Sequence, residues 1–116
     1  LIPVLPSDID IHAVTQAIAD LLLRAKISRS SKRIAVIANR SRKNTLVYQR
    51  LERFLVSLDI PFVTTLRDTQ NYVHAAEQGL GLFEMKLSKV EKDLCSWRPL
   101  IDWLDAKIKP EIAQAV

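Results

Sequence analysis

Eight lysine and arginine residues within 20 positions are the part of this sequence best suited to bind a ligand. No Asp or Glu lies among them, and the other nine Lys and Arg residues are outnumbered by the 13 acidic residues of the chain. Concentrated positive charge binds phosphate backbones by releasing counterions, without reading the base sequence. The stretch therefore predicts contact with DNA, and an ordinary solvated loop is the alternative. Its basic members are Arg24, Lys26, Arg29, Lys32, Arg33, Arg40, Arg42 and Lys43.

Three short polar segments that follow apolar runs are the other candidates for a ligand site. If the apolar runs are parallel strands, these segments share one rim, because ligands of such sheets bind beyond the carboxyl ends of the strands. Structural roles are the alternative: Asn39 can hydrogen-bond the backbone at a strand end, and Asp68 can cap a following helix. The segments are Pro6-Ser7-Asp8, Asn39-Arg40-Ser41 and Arg67-Asp68-Thr69.

The residues that several common activities require are not found in the sequence. The two glycines, Gly79 and Gly81, do not form the G-x-x-x-x-G-K-[ST] loop that wraps phosphates in backbone amides. His12 and His74 are far apart and have no Cys or acidic companions at the spacing of metal ligands. Spacing suggests no Ser-His-Asp or Cys-His arrangement. We therefore assign no catalytic residue and no metal site, and the lone Cys95 fits a reduced, cytoplasmic protein.

Apolar spacing predicts three strands that alternate with helices. The strands cover 1–5, 33–39 and 62–66, and the middle run is apolar without alternation, which is typical of a strand buried on both faces of a parallel sheet. Ser7, with Asp10 three residues later, marks the start of the first helix, which runs to about Lys26. Later helices are expected after Asn44 or Thr45, over about 69–78 and over about 88–108. The apolar face of the second helix should contain Leu46, Val47, Leu51, Phe54, Leu55 and Leu58.

This order of elements favours βαβ units, in which helices cover a parallel sheet. With 116 residues, of which 48% are hydrophobic, the chain is long and apolar enough for one core. We expect residues 1–116 to be a single domain or a fragment of one, because no linker divides them. The opening Leu1, inside an apolar run, favours a fragment. No segment has the roughly 18 uninterrupted apolar residues that a membrane helix needs.

Three segments, in order, resemble the ParA/MinD-type deviant-Walker P-loop ATPases of chromosome and plasmid partitioning. The first is Pro3-Val4-Leu5-Pro6-Ser7 with Asp8 or Asp10 after it, and the second is the run 34–40, which ends in Asn39-Arg40. The third is 65–68, followed by Tyr72, Ala75-Ala76 and the run 79–84. The resemblance spans residues 1–84 and implies the carboxy-terminal half of a parallel, three-layer P-loop NTPase-like sheet with flanking helices.

The resemblance implies a function for the intact protein. Such proteins bind ATP and Mg, form homodimers around the nucleotide and bind DNA nonspecifically. They hydrolyse ATP slowly, and a ParB-like partner stimulates the hydrolysis. They work in the cytoplasm, associated with the nucleoid. This chain departs from the pattern, because it lacks the Walker A loop and the signature lysines. We therefore expect it, alone, neither to bind ATP tightly nor to hydrolyse it.

The resemblance also assigns nucleotide-binding residues. Asn39 corresponds to the residue that reads adenine, and its carboxamide can both donate and accept, as the edge of adenine requires. Arg67 and Asp68 correspond to the loop that flanks the base and the ribose.

Two other classes of protein are alternatives to the partitioning ATPase, and membrane binding by the carboxy-terminal tail is a further possibility to weigh. One is a stand-alone, non-catalytic module that binds nucleic acid or a protein, and the other is a related P-loop amidoligase. Trp97 and Trp103 accompany several lysines near the carboxy terminus, as in helices that lie on membranes. Acidic residues interleave with them and oppose anionic lipid, so membrane binding is disfavoured.

Overall fold

The computed structural model describes residues 1–24, 34–57 and 59–115, with side chains as far as residue 108. In this part of the chain an α/β structure forms, with a three-stranded parallel sheet and four α-helices. The chain divides into two compact units, an amino-terminal unit, Leu1–Asp68, and a carboxy-terminal unit, Thr69–Val116. The α/β class and the parallel sheet expected from the sequence are confirmed.

The amino-terminal unit contains the whole sheet. Its strands are β1 (Ile2–Val4), β2 (Val36–Ser41) and β3 (Phe62–Arg67), in the order β1-β2-β3. Every residue from Ile34 to Ala38 is buried, which confirms the expectation for the apolar middle run. The neighbouring strands cover both edges of β2, and burial of consecutive side chains, which point to opposite faces, explains an apolar run without alternation.

Helix α1 (Asp8–Leu23) begins where the sequence predicted. The Ser7 Oγ accepts a hydrogen bond from the Asp10 N–H at 3.1 Å and also bonds the Asp10 carboxylate. This cap satisfies one of the amides that every helix start leaves unpaired. Val14 and Ile18 are buried against the sheet core. The predicted end at Lys26 and the predicted strand start at Arg33 lie outside the described residues.

The buried face of helix α2 (Leu46–Ser57) includes the predicted Leu51 and Leu55 but differs from the prediction at the first turn. Leu46 is 72% exposed, whereas Tyr48 is buried with Leu51 and Leu55. The spacing of three and four residues from Tyr48 defines the inward stripe, and Leu46 lies off that stripe. Val47 is also exposed, at 38%, so the inclusion of Leu46 and Val47 in the apolar face was wrong. Leu58, the last predicted member of the apolar face, lies outside the described residues. Thr45 caps the helix as predicted, because its Oγ1 accepts a hydrogen bond from the Tyr48 N–H at 3.3 Å.

Strand β2 is longer at its carboxyl end than the sequence predicted. The predicted strand ended at Asn39, but Arg40 and Ser41 continue it. The pairing with β3 shifts register between Ala38 and Ser41, and Arg40 has a φ of 49°. A bulge of this kind lets polar residues follow a buried strand while its backbone still pairs with the neighbouring strand.

The carboxy-terminal unit is helical and contains α3 (Asn71–Glu77), a 3₁₀ turn (Leu82–Glu84) and α4 (Leu87–Ala115). Helix α3 ends in a Schellman motif: the Leu80 N–H bonds the Ala75 carbonyl at 2.9 Å and the Gly79 N–H bonds the Ala76 carbonyl at 3.1 Å. Gly79 has a φ of 68°, which a residue without a Cβ adopts at little cost. None of the helices placed in the structure is both long and apolar enough to cross a membrane.

Candidate ligand-binding edge

The ends of β2 and β3 bring two of the three polar segments together. Ser41 is the register partner of Arg67, and the Asp68 N–H donates to the Ser41 carbonyl at 3.1 Å. Parallel strands place their carboxyl ends at the same edge of the sheet, which is where ligands of open α/β sheets bind. We call residues 39–43, 67 and 68 the carboxyl edge.

Asn39 is half-buried at this edge, and its side chain bonds the backbone. The Asn39 Oδ1 accepts from the Arg40 N–H at 3.0 Å, and the Asn39 carbonyl accepts from the Oγ of Ser41 at 3.2 Å. Both hydrogen bonds lie within the bulge, where Ser41 is only 1% exposed. The backbone role considered for Asn39 is therefore present. Adenine contact by Asn39 stays a prediction, and a carboxamide oxygen with one bond can still accept a second.

Arg40 has the left-handed backbone conformation that residues with a Cβ usually avoid. For such a residue this conformation costs about 1–2 kcal/mol. Contacts on both sides support this conformation. The Arg40 N–H donates to the Asn39 Oδ1, and the next residue, Ser41, pairs with β3. The result is an exposed guanidinium-bearing side chain at the end of a buried strand.

Arg42 and Asp68 form an ion pair across the ends of β2 and β3. The Arg42 Nη2 lies 3.3 Å from the Asp68 Oδ2, with the two side chains 70% and 35% exposed. The helix-cap role considered for Asp68 is not what the structure shows, because α3 begins at Asn71 with Gln70 at the N-cap position. A residue predicted to bind DNA and a residue predicted to bind nucleotide thus contact each other.

The predicted DNA-binding stretch is only partly gathered at this edge. Arg40, Arg42 and Lys43 are exposed there, within four positions of one another. Arg24 lies elsewhere, because α1 returns the chain from the end of β1 to the start of the parallel β2; it pairs with Asp20 at 3.8 Å. Four members of the stretch lie outside the described residues: Lys26, Arg29, Lys32 and Arg33.

The first polar segment is occupied with structural contacts. Ser7 caps α1, as described above, and the Asp8 Oδ2 lies 3.8 Å from an Arg50 guanidinium nitrogen of α2. The segment therefore links the starts of two helices. Within the described residues, no group of three or more His, Cys, Asp or Glu side chains could hold a metal ion.

Sequence reasoning missed a groove in the carboxy-terminal unit. It has a volume of about 370 Å³ and is lined by Tyr72, Ala75, Ala76, Leu80, Gly81, Leu82, Phe83 and Trp97. The indole Nε1 of Trp97 donates to the Tyr72 hydroxyl at 2.9 Å.

Sequence reasoning also missed a buried carboxylate in the same unit. The Nδ2 of Asn71 donates to the Asp93 carboxylate at 2.8 Å, and Asp93 is 1% exposed. The position of Asp93 in step with Val90 and Trp97 on one helix was the signal that could have revealed this buried carboxylate.

Comparison with known proteins finds no matching family model, no matching curated protein and no matching solved structure. Function is therefore inferred from the residues and the geometry of the carboxyl edge.

Proposed function

We propose that this chain is the carboxy-terminal half of a ParA-like P-loop ATPase, in which the carboxyl edge faces the adenine base and its basic residues contact DNA without sequence preference. The half that carries the Walker A loop would hold the phosphates and Mg, and hydrolysis would take place there. In this proposal the intact protein forms a homodimer and responds to a ParB-like partner. The chain alone has no catalytic role.

The observation that carries the proposal is the hydrogen bond from the Asp68 N–H to the Ser41 carbonyl at 3.1 Å. It joins the two segments that the family resemblance assigns to the base and the ribose, although 25 or more residues of chain separate them. The order β1-β2-β3 with all strands parallel supports the same proposal, since nucleotides bind at this edge of such sheets.

The electrostatics of the edge support the DNA contact. Arg40, Arg42 and Lys43 are exposed, and within the described part of the chain only Arg42 among them pairs with an acid, Asp68. Side chains of this kind bind phosphates through charge and release counterions, so the affinity should fall steeply with salt. The same feature favours the second candidate, a stand-alone module that binds nucleic acid without any nucleotide.

The test is an NMR titration of the isotopically labelled chain with ATP at millimolar concentration, with GTP as the competing base. We expect ATP to shift the amide signals of residues 39–41 and 67–68, and GTP to shift them less. Asn39→Ala should remove the preference for ATP. Gln16→Ala is the matched control, since it removes an exposed carboxamide from α1.

Shifts that are equal for ATP and GTP, or a preference for ATP that persists in Asn39→Ala, would contradict adenine contact. DNA binding in the absence of any nucleotide effect would then favour the stand-alone module.

A further inference from the structure

The ion pair between Arg42 and Asp68 occupies a residue that the proposed DNA contact requires. The Arg42 guanidinium is 3.3 Å from the Asp68 carboxylate, which has the charge of a phosphodiester and similar acceptor oxygens. The position of Asp68 does not depend on this pair, because its backbone N–H is fixed to the Ser41 carbonyl. The sheet therefore holds the backbone of Asp68 next to Arg42, within reach of its carboxylate.

We infer that Asp68 is an internal competitor of phosphate: it holds the Arg42 guanidinium and lowers the affinity of the carboxyl edge for a nucleic-acid backbone. The inference rests on the proposed DNA contact and adds an autoinhibitory role for one acidic residue. A phosphodiester that approaches the edge must displace Asp68 to reach Arg42. Arg40 and Lys43, which belong to the same exposed segment, have no such acid beside them among the described residues.

The exposure of the pair makes this exchange feasible. The side chain of Arg42 is 70% exposed and that of Asp68 is 35% exposed, so water and ligands reach both. Exposed ion pairs are weak and screened by salt, so a phosphate can replace the carboxylate without disturbing the fold. A carboxylate so placed reduces binding without abolishing it.

The experiment measures binding of the full chain to a fluorescent duplex DNA, without nucleotide, over a series of salt concentrations. Asp68→Asn should raise the affinity at low salt by about two- to fivefold, the range that corresponds to an exposed ion pair. The slope of log K against log salt should steepen by about 0.9, as for one additional phosphate contact. Arg42→Ala should lower the affinity, and Asp68→Asn should have no further specific effect in the Arg42→Ala background.

Asp59→Asn is the matched control. It removes the same charge from the same unit, but Asp59 precedes β3 and so lies at the opposite edge of the sheet. Its φ of 53° is tolerated by Asn, so the control should fold normally. We expect it to change the affinity less than Asp68→Asn does.

Equal effects of Asp68→Asn and Asp59→Asn, or a gain that persists in the Arg42→Ala background, would overturn the inference while leaving DNA binding itself intact. If Arg42→Ala binds DNA as well as the unmodified chain does, the DNA contact of the proposed function fails together with the inference. Adenine contact is tested separately by the ATP titration.

Discussion

The carboxyl edge of the amino-terminal unit and the helices of the carboxy-terminal unit use polar side chains in opposite ways. At the edge, the ion pair between Arg42 and Asp68 is exposed to water. In the carboxy-terminal unit, the Asp93 carboxylate is buried and accepts a hydrogen bond from Asn71. Charges that remain in water add little to stability and stay available to ligands, whereas a buried carboxylate that loses its partner is costly.

The difference separates a region suited to binding from a region in which polar groups support packing. Loss of an exposed charge should alter ligand affinity and leave folding nearly unchanged. Loss of a buried hydrogen bond should reduce stability first, because the partner left behind has no water to replace the bond. Three sets of substitutions test this contrast, beginning with the largest expected effect.

Asp93→Ala should lower the free energy of unfolding by about 2–3 kcal/mol, because it leaves a cavity at a buried position and removes one acceptor of the Asn71 Nδ2, which keeps its bond to the Lys89 carbonyl. Urea denaturation followed by the fluorescence of Trp97 and Trp103 measures the change. Asp102→Ala, an exposed position on the same helix, should change the stability by less than about 0.5 kcal/mol. Equal effects at the two positions would show that the burial of Asp93 has no special role.

The same substitution at two tyrosines compares the two units directly. Tyr48→Phe breaks a hydrogen bond of 2.9 Å to Thr65 in which both residues are buried, so we expect a loss of about 1–2 kcal/mol. Tyr72→Phe removes the acceptor of the Trp97 Nε1, but both of these residues are half-buried and water can replace the bond, so the loss should be about 0.5–1 kcal/mol. Far-UV circular dichroism during denaturation gives both values, and a larger loss at Tyr72 would reverse the expected order.

Arg40→Gly should stabilise the chain slightly, by about 0.5 kcal/mol, because glycine adopts the left-handed conformation with no Cβ penalty. Part of the gain is offset by the greater freedom of glycine in the unfolded chain. Arg42→Gly removes the same charge where φ is not positive, and it should be destabilising or neutral. Thermal denaturation distinguishes the two, and a loss of stability in Arg40→Gly would show that the bulge is not strained.

Several elements could be predicted because their signals are local. The cap at Ser7 depends on residues within one helical turn, and the burial of 34–38 follows from an unbroken apolar run. The face of α2 was harder, since Leu46 is as apolar as Leu51 and only the packing against the sheet favours one over the other. The extension of β2 through Arg40 and Ser41 was missed because polar residues usually mark turns.

The sequence by itself determined the alternation of strands and helices, the buried middle strand and the clustering of positive charge, since each depends on residue types at short range. Only the tertiary structure decided that Arg42 lies beside Asp68, and that Asn71 bonds Asp93. Such contacts join residues 22 or more positions apart in the sequence. Their formation depends on strand register and helix packing, which are set by the shape of the whole core rather than by the neighbours of either residue.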